Sequence, residues 1–251
     1  MKSLLLGVCL SAALGAAALA AAPAYLTSAL ADPGRGKDRE IDARRKPGDL
    51  LAFSGVKPGD KVADLIPGGG YFSKIFSKVV GPNGRVYMIW PEEYAKVAQP
   101  DPEVDKALAQ QPGYRNLRVI IQPGAAFAAP EPLDLVFTSQ NYHDYPDKFM
   151  GRIDPMVFNR AVYKALKPGG TFLIVDHVAE AGSGMRDTDT LHRIDPAIVR
   201  KQVTAAGFIY EGESRVLRNP KDDHRLDVFN KAIRGHTDQF VFKFRKPVRK
   251  G

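Results

Sequence analysis

Residues 61–66, KVADLI, run straight into Pro67-Gly68-Gly69-Gly70. The ten residues after that turn, YFSKIFSKVV, place Tyr71, Phe72, Ile75, Phe76 and Val79 at helical spacing. A second apolar run at 85–90, RVYMIW, follows Gly81-Pro82-Asn83-Gly84. Strand, glycine turn, helix and strand make a βαβ unit, whose crossover joins parallel strands. A parallel sheet must be covered on both faces, and it opens a ligand crevice beyond the carboxyl ends of its strands.

The alternation continues. Residues 91–110 read as helical and broken near Pro100 and Pro102. Strands are expected at 117–122 and 133–139, a helix at 154–166, and a strand at 171–178 after Lys167-Pro168-Gly169-Gly170. A helix at 195–206 then precedes two extended segments, 208–217 and 239–246. The pattern predicts an α/β fold: a Rossmann-like, doubly wound, mostly parallel seven-stranded sheet with a terminal antiparallel strand pair.

The first 31 residues carry one charge, Lys2, and an apolar run from Leu4 to Ala22 rich in Ala and Leu. With Ala29-Leu30-Ala31 before Asp32, this reads as a secretory signal peptide spanning 1–31. A second cut is available after Ala24. The mature protein is therefore expected to be periplasmic or secreted, without stable membrane insertion. Cys9, the sole cysteine, would leave with the signal, which excludes disulfides, thiolate nucleophiles and cysteine-ligated metals. Residues 32–46, rich in Gly, Asp, Arg and Lys, read as an N-terminal arm with a helical turn around 39–45, and 47–251 as one domain. The net charge of +8 favours acidic partners, but the basic residues are scattered, so nucleic acid is not expected and a small-molecule substrate is.

Asp64 sits inside an otherwise apolar strand, four residues before Gly68. A dinucleotide fingerprint instead has its glycines directly after an apolar strand and an acid closing the second strand, where this chain has Trp90. A nicotinamide-dependent oxidoreductase is thereby disfavoured. A buried Asp64 would need partners, and the glycine-turn amides can supply them.

VADLIPGGGYFSKIFSKVVGPNGRVYMI, PLDLVFTSQNYHD and ALKPGGTFLIVDH, in this order, resemble the first motif, fourth strand and fifth strand of class I S-adenosylmethionine-dependent methyltransferases. NYHDY, LHRID and RGHTDQF resemble a group of exported bacterial methyltransferase-like proteins. The resemblance covers roughly residues 47–247. It implies S-adenosyl-L-methionine as cofactor, with Asp64, Gly68, Gly69, Gly70, Tyr71, Trp90, Asn141 and Tyr142 around it. Three positions depart from the family pattern. Ile66 stands at the first glycine, Trp90 replaces the ribose-binding acid and leaves Glu92 or Glu93 to substitute, and Gly124-Ala125-Ala126 occupies the place of an acid near the adenine.

The polar cluster Ser139 to Tyr145 falls where donor and acceptor would meet, and His143, oriented by Asp144, is the first candidate for proton transfer. His177 and His192 are further candidates. Each histidine has an alternative role in local capping or packing, and Arg234 to Asp238 reads as a turn or a substrate lid. With no His-x-x-x-His spacing among His177, His192, His224 and His236, no metal site is expected. The sequence thus points to an exported methyltransferase, with a non-catalytic exported ligand-binding protein of the same fold as the alternative.

Overall fold

The computed structural model describes residues 22–248. Residues 1–21 of the expected signal peptide lie outside them. The chain begins with α1 (Ala24–Ala31), a 3-10 stretch (Pro33–Ile41), α2 (Asp42–Arg45) and α3 (Pro47–Ser54). Then come β1 (Lys61–Leu65), α4 (Tyr71–Val80), β2 (Arg85–Pro91), α5 (Glu92–Val97), α6 (Asp101–Gln110), β3 (Leu117–Gln122) and β4 (Leu133–Ser139). The rest comprises α7 (Pro155–Ala165), β5 (Leu166–His177), α8 (Thr188–Leu191), α9 (Pro196–Ala205), β6 (Ile209–Ser214) and β7 (Gln239–Arg245).

The seven strands lie in the order β3-β2-β1-β4-β5-β7-β6. Neighbours from β3 to β5 are parallel, and β7 runs antiparallel to both β5 and β6. This is the expected sheet. Two boundaries differ most: β6 spans only Ile209–Ser214 of the segment expected at 208–217, and β5 starts at Leu166, ahead of the glycine pair, because Leu166 pairs with Leu133 before the register shifts.

Alternation along each strand sorts side chains between two helical layers. Ala63, Leu65, Val136, Phe172 and Ile174 point into a core shared with Phe158 and Val162 of α7 and Val199 and Val203 of α9. Val62, Leu135, Phe137, Leu173 and Val175 point the other way, onto Phe72, Ile75, Phe76 and Val79 of α4. The β1–β4 boundary is the switch point, since the chain winds outward from it in both directions.

The structure corrects the expectation that residues through 31 lie outside the fold. Leu26 and Ala29 of α1 are buried in the α4-side core together with Leu50 and Leu51 of α3. The arm is also stitched down. Buried Arg35 pairs with Asp42 and donates to the Leu30 carbonyl at 2.7 Å, while Asp42 Oδ1 accepts the Tyr71 hydroxyl at 2.6 Å. Lys74–Asp38 and Lys78–Asp32 ion pairs, at 2.8 and 3.0 Å, tie the same stretch to α4. A chain starting at Pro23 should therefore be more stable than one starting at Asp32. Full burial of one leucine side chain contributes about 1.5–3 kcal/mol. Urea midpoints of the two chains test this, and equal midpoints would place α1 outside the stabilising core.

Candidate active site

At the carboxyl end of β1 the chain turns sharply. Ile66, Gly68, Gly69 and Gly70 all have positive φ, at 52°, 54°, 72° and 80°. Ile66 thus takes the left-handed conformation that the family's glycine would adopt freely, a costly one for a β-branched side chain. Gln140 and His192 are left-handed as well, at φ 67° and 53°, and all three face one cleft. Three of the six left-handed non-glycine residues among those described thus border this opening.

The cleft encloses about 740 Å³ above the β1–β4 switch point. Gly68, Phe72 and Arg45 form one side, and Trp90, Tyr94 and Asp101 the second. His143, Asp144, His177 and His192 form the floor toward β5, and Phe149, Phe229 and Arg234 rim the opening. The segment between β6 and β7, whose end carried the lid reading, therefore contributes a wall.

Asp64 is buried but does not bind the glycine amides as expected. Its Oδ2 accepts from the Ser73 hydroxyl at 2.6 Å, fastening β1 to the first turn of α4. Burial pushes its carboxyl up to about 7, against the Ser73 bonds and the nearby Arg45 charge. Of the predicted glycine-turn residues, Gly68 lines the cleft. Gly69 borders open space, and a Cβ at Gly70 would meet Leu108 and Asp105, so Gly70 serves close packing. Tyr71 also corrects expectation, because its hydroxyl is spent on Asp42 and its ring lies beneath Arg45, 4.9 Å from the guanidinium carbon.

Trp90 lines the cleft, and its Nε1–H donates to Asp105 Oδ2 at 3.0 Å. Burial pushes Asp105 up to about 7 as well, with the Trp90 bond opposing. Neither acid proposed as a ribose-binding substitute faces the cleft: Glu93 accepts the Gly124 amide at 3.0 Å, and Glu92 does not line it. Asp101, at the start of α6, does. Asn141 lines the cleft but also clamps its floor. It bonds Thr138 through Oδ1, and its Nδ2 donates to the Leu65 and Ile66 carbonyls at 3.3 and 3.2 Å. Tyr142 points away, with its hydroxyl held by Asn159 at 2.8 Å and its ring against Phe158, so it supports the floor rather than lining the cofactor.

Three of the four catalytic candidates converge. The His143 ring sits between two carboxylates, with Nδ1 2.8 Å from Asp176 Oδ1 and Nε2 3.3 Å from Asp144 Oδ1. Burial favours a neutral ring, but the Asp176 and Asp144 charges prevail and hold His143 well above its ordinary value. His192 Nδ1 lies 3.8 Å from the same Asp144 oxygen, which raises its pKa. Burial would raise Asp144, but His143 and then His192 keep it low. His177 stands apart. Its Nδ1 is 2.7 Å from the Thr237 hydroxyl, and burial together with the His143 and Arg193 charges holds it well below the usual range.

Sequence reasoning missed Asp176, which accepts the backbone N–H of both His143 and His177 as well as the His143 ring, each at 2.8 Å. An acid at the end of a buried strand beside a histidine was the available signal. Arg45 was missed too. It leaves the arm to lie over Phe72 and reach Gln140 at 3.3 Å, and no carboxylate pairs with it among the described residues.

No family model matches the chain. It is 26% identical over 155 residues to a protein-L-isoaspartate O-methyltransferase of Methanococcus aeolicus, an alignment covering 61% of each chain, so it spans less than two thirds of that relative. A solved S-adenosylmethionine-dependent methyltransferase of Aquifex aeolicus superposes with a TM-score of 0.58 at 20% identity, covering 86% of this chain and 98% of its own. The [4+2]-cyclase SpnF superposes with a TM-score of 0.61 at 15% identity, covering 82% and 81%. The chain has the class I S-adenosylmethionine-dependent methyltransferase fold, and SpnF demonstrates that this fold carries more than one chemistry.

Asp64 yields a pH prediction. In the unfolded chain it titrates near 3.8, in the folded protein near 7. Between those values the native state keeps a proton the unfolded state has lost, so Asp64 makes stability fall as pH rises through that window and level off above it. Asp64→Asn cannot ionise. Its stability relative to the parent should improve from about pH 5 to about pH 8 in urea titrations; a constant difference would show that Asp64 is already ionised in the folded protein at the lower pH.

Proposed function

We propose that the chain is an exported S-adenosylmethionine-dependent methyltransferase acting on a small-molecule acceptor. The observation that carries this reading is the cleft itself, with Gly68 and Arg45, which has no carboxylate partner among the described residues, on one side of the switch point and His143, Asp144 and His192 on the other. About 740 Å³ lies within the usual range for a ligand of that size. Gly68 allows close backbone approach, the Arg45 guanidinium suits a carboxylate, and Asp101 is placed to accept from ribose hydroxyls. When bound, the donor supplies an electrophilic methyl group on its sulfonium. The chain's part is to hold an acceptor in line with it, with Asp144 and His192 orienting the acceptor's polar group and Phe149 and Phe229 narrowing the entrance. That narrowing favours a small acceptor over a folded protein.

The fold comparison supports the cofactor, and the relative's name makes an isoaspartyl peptide the acceptor to test against small hydroxyl and carboxyl compounds. The departures at Ile66, Trp90 and Gly124 favour the second reading, a ligand-binding protein that keeps the fold without catalysis. Calorimetry with S-adenosylmethionine should show saturable sub-millimolar binding. Arg45→Ala should weaken it by about 10- to 100-fold, the worth of a charge-assisted contact. Binding without methyl transfer to any acceptor would support the second reading, and no binding would contradict both the cofactor and the first.

Export rests on the charged start and apolar run, and the buried α1 favours cleavage after Ala24 over Ala31, since the later cut would remove Leu26 and Ala29 from the core. Among the described residues no helix is long and apolar enough to cross a membrane. Protein recovered from the periplasm of an expressing bacterium should have the intact mass of a chain beginning at Tyr25. A mass that includes Met1 would contradict export with cleavage.

A further inference from the structure

Donor atoms from two separate segments converge on the floor of the cleft. Asp176, as a carboxylate, only accepts, so His143 Nδ1 carries a proton and Nε2 is the nitrogen turned toward Asp144, where a bound cation would replace the Nε2 proton. His143 Nε2 lies 3.3 Å from Asp144 Oδ1, and His192 Nδ1 lies 3.8 Å from the same carboxylate oxygen. Charge-assisted N–H···O bonds close to about 2.7–2.9 Å, shorter than either separation. Metal–ligand bonds of about 2.0–2.2 Å put neighbouring tetrahedral donors roughly 3.3–3.5 Å apart, which matches them better. One donor atom from each of His143, Asp144 and His192 lies within 4.8 Å of the other two.

We propose that His143 Nε2, Asp144 Oδ1 and His192 Nδ1 bind one divalent first-row transition-metal ion, with Asp176 orienting His143 from behind. Two imidazoles and a carboxylate suit zinc, cobalt, iron or manganese rather than calcium or magnesium, which prefer all-oxygen shells. The Asp176 bond is the carboxylate–histidine contact that fixes the tautomer and orientation of metal-bound imidazoles. Three protein ligands leave coordination positions open, and these face the cleft, where a hydroxyl or water oxygen can occupy them. The spacing rule misses such a site because its ligands come from different segments. His143 and Asp144 follow β4, while His192 is itself the left-handed residue that caps α8, with its ring edge against Phe229 at 5.0 Å. The other histidines weighed as ligands are engaged differently, His177 with Thr237 and His224 with Asp238. The site does not depend on S-adenosylmethionine binding.

The test uses the whole chain after treatment with a chelator, titrated with Zn²⁺ by calorimetry and with Co²⁺ by visible absorption. One ion per chain should bind, Co²⁺ should develop d–d bands, and the Tm should rise. His192→Ala removes a partly exposed ring and leaves the core intact, so the variant should fold and bind Zn²⁺ about a hundredfold more weakly or worse. Asp176→Asn should weaken binding by about 10- to 100-fold, and His236→Ala should leave it unchanged. Absence of binding at millimolar Zn²⁺, or stoichiometric binding that survives His192→Ala, overturns the proposal.

Discussion

The architecture depends on the seam between β1 and β4, where a parallel sheet reverses its winding direction. Chain leaving β1 goes to one face and chain leaving β4 to the other, so neither crossover covers the gap between their carboxyl ends. Asn141 holds that gap at fixed width by bonding Thr138 at the end of β4 and the carbonyls of Leu65 and Ile66 at the end of β1. Those carbonyls belong to the turn whose strained backbone opens the cleft, so the polar clamp and the strain are parts of one feature.

Two further devices position chemistry around the seam. The Asp64–Ser73 bond fixes where α4 begins, and hence where Gly68 presents its backbone. On the other side Asp176, at the end of β5, gathers three N–H donors and sets both the backbone and the ring of His143. Both acids are buried in strands, where a carboxylate is tolerated only with partners supplied. The arm adds Arg45 from outside the sheet and completes the cleft with a cation that lies over Phe72 and bonds Gln140 rather than a carboxylate.

The sheet and its winding were legible because hydrophobic period and turn residues are local signals. The glycine turn after 61–66 announced the end of β1 directly, whereas the Pro-Gly-Gly after 154–166 marked the close of α7 but lies within β5, which already pairs at Leu166. His143, Asp144 and His192 were legible as candidates, since strand ends at the switch point are where ligands bind. Tyr142 was misread because alternation of side chains in a loop after a strand cannot be told from sequence; only the packing of α7 shows that its ring belongs beneath. Arg45, Asp101 and α1 were missed because their roles come from long-range contacts, and α1 in particular resembles the alanine-rich end of a signal.

The central claim is that the β1–β4 cleft is the S-adenosylmethionine site. A crystal structure of the chain with S-adenosylmethionine tests it most directly. The account predicts the methionine carboxylate on Arg45 beside Gly68, the ribose toward Asp101, and the sulfonium methyl facing His143, Asp144 and His192. Ligand density outside this cleft, or in it with the methyl turned away from the histidine cluster, would contradict it.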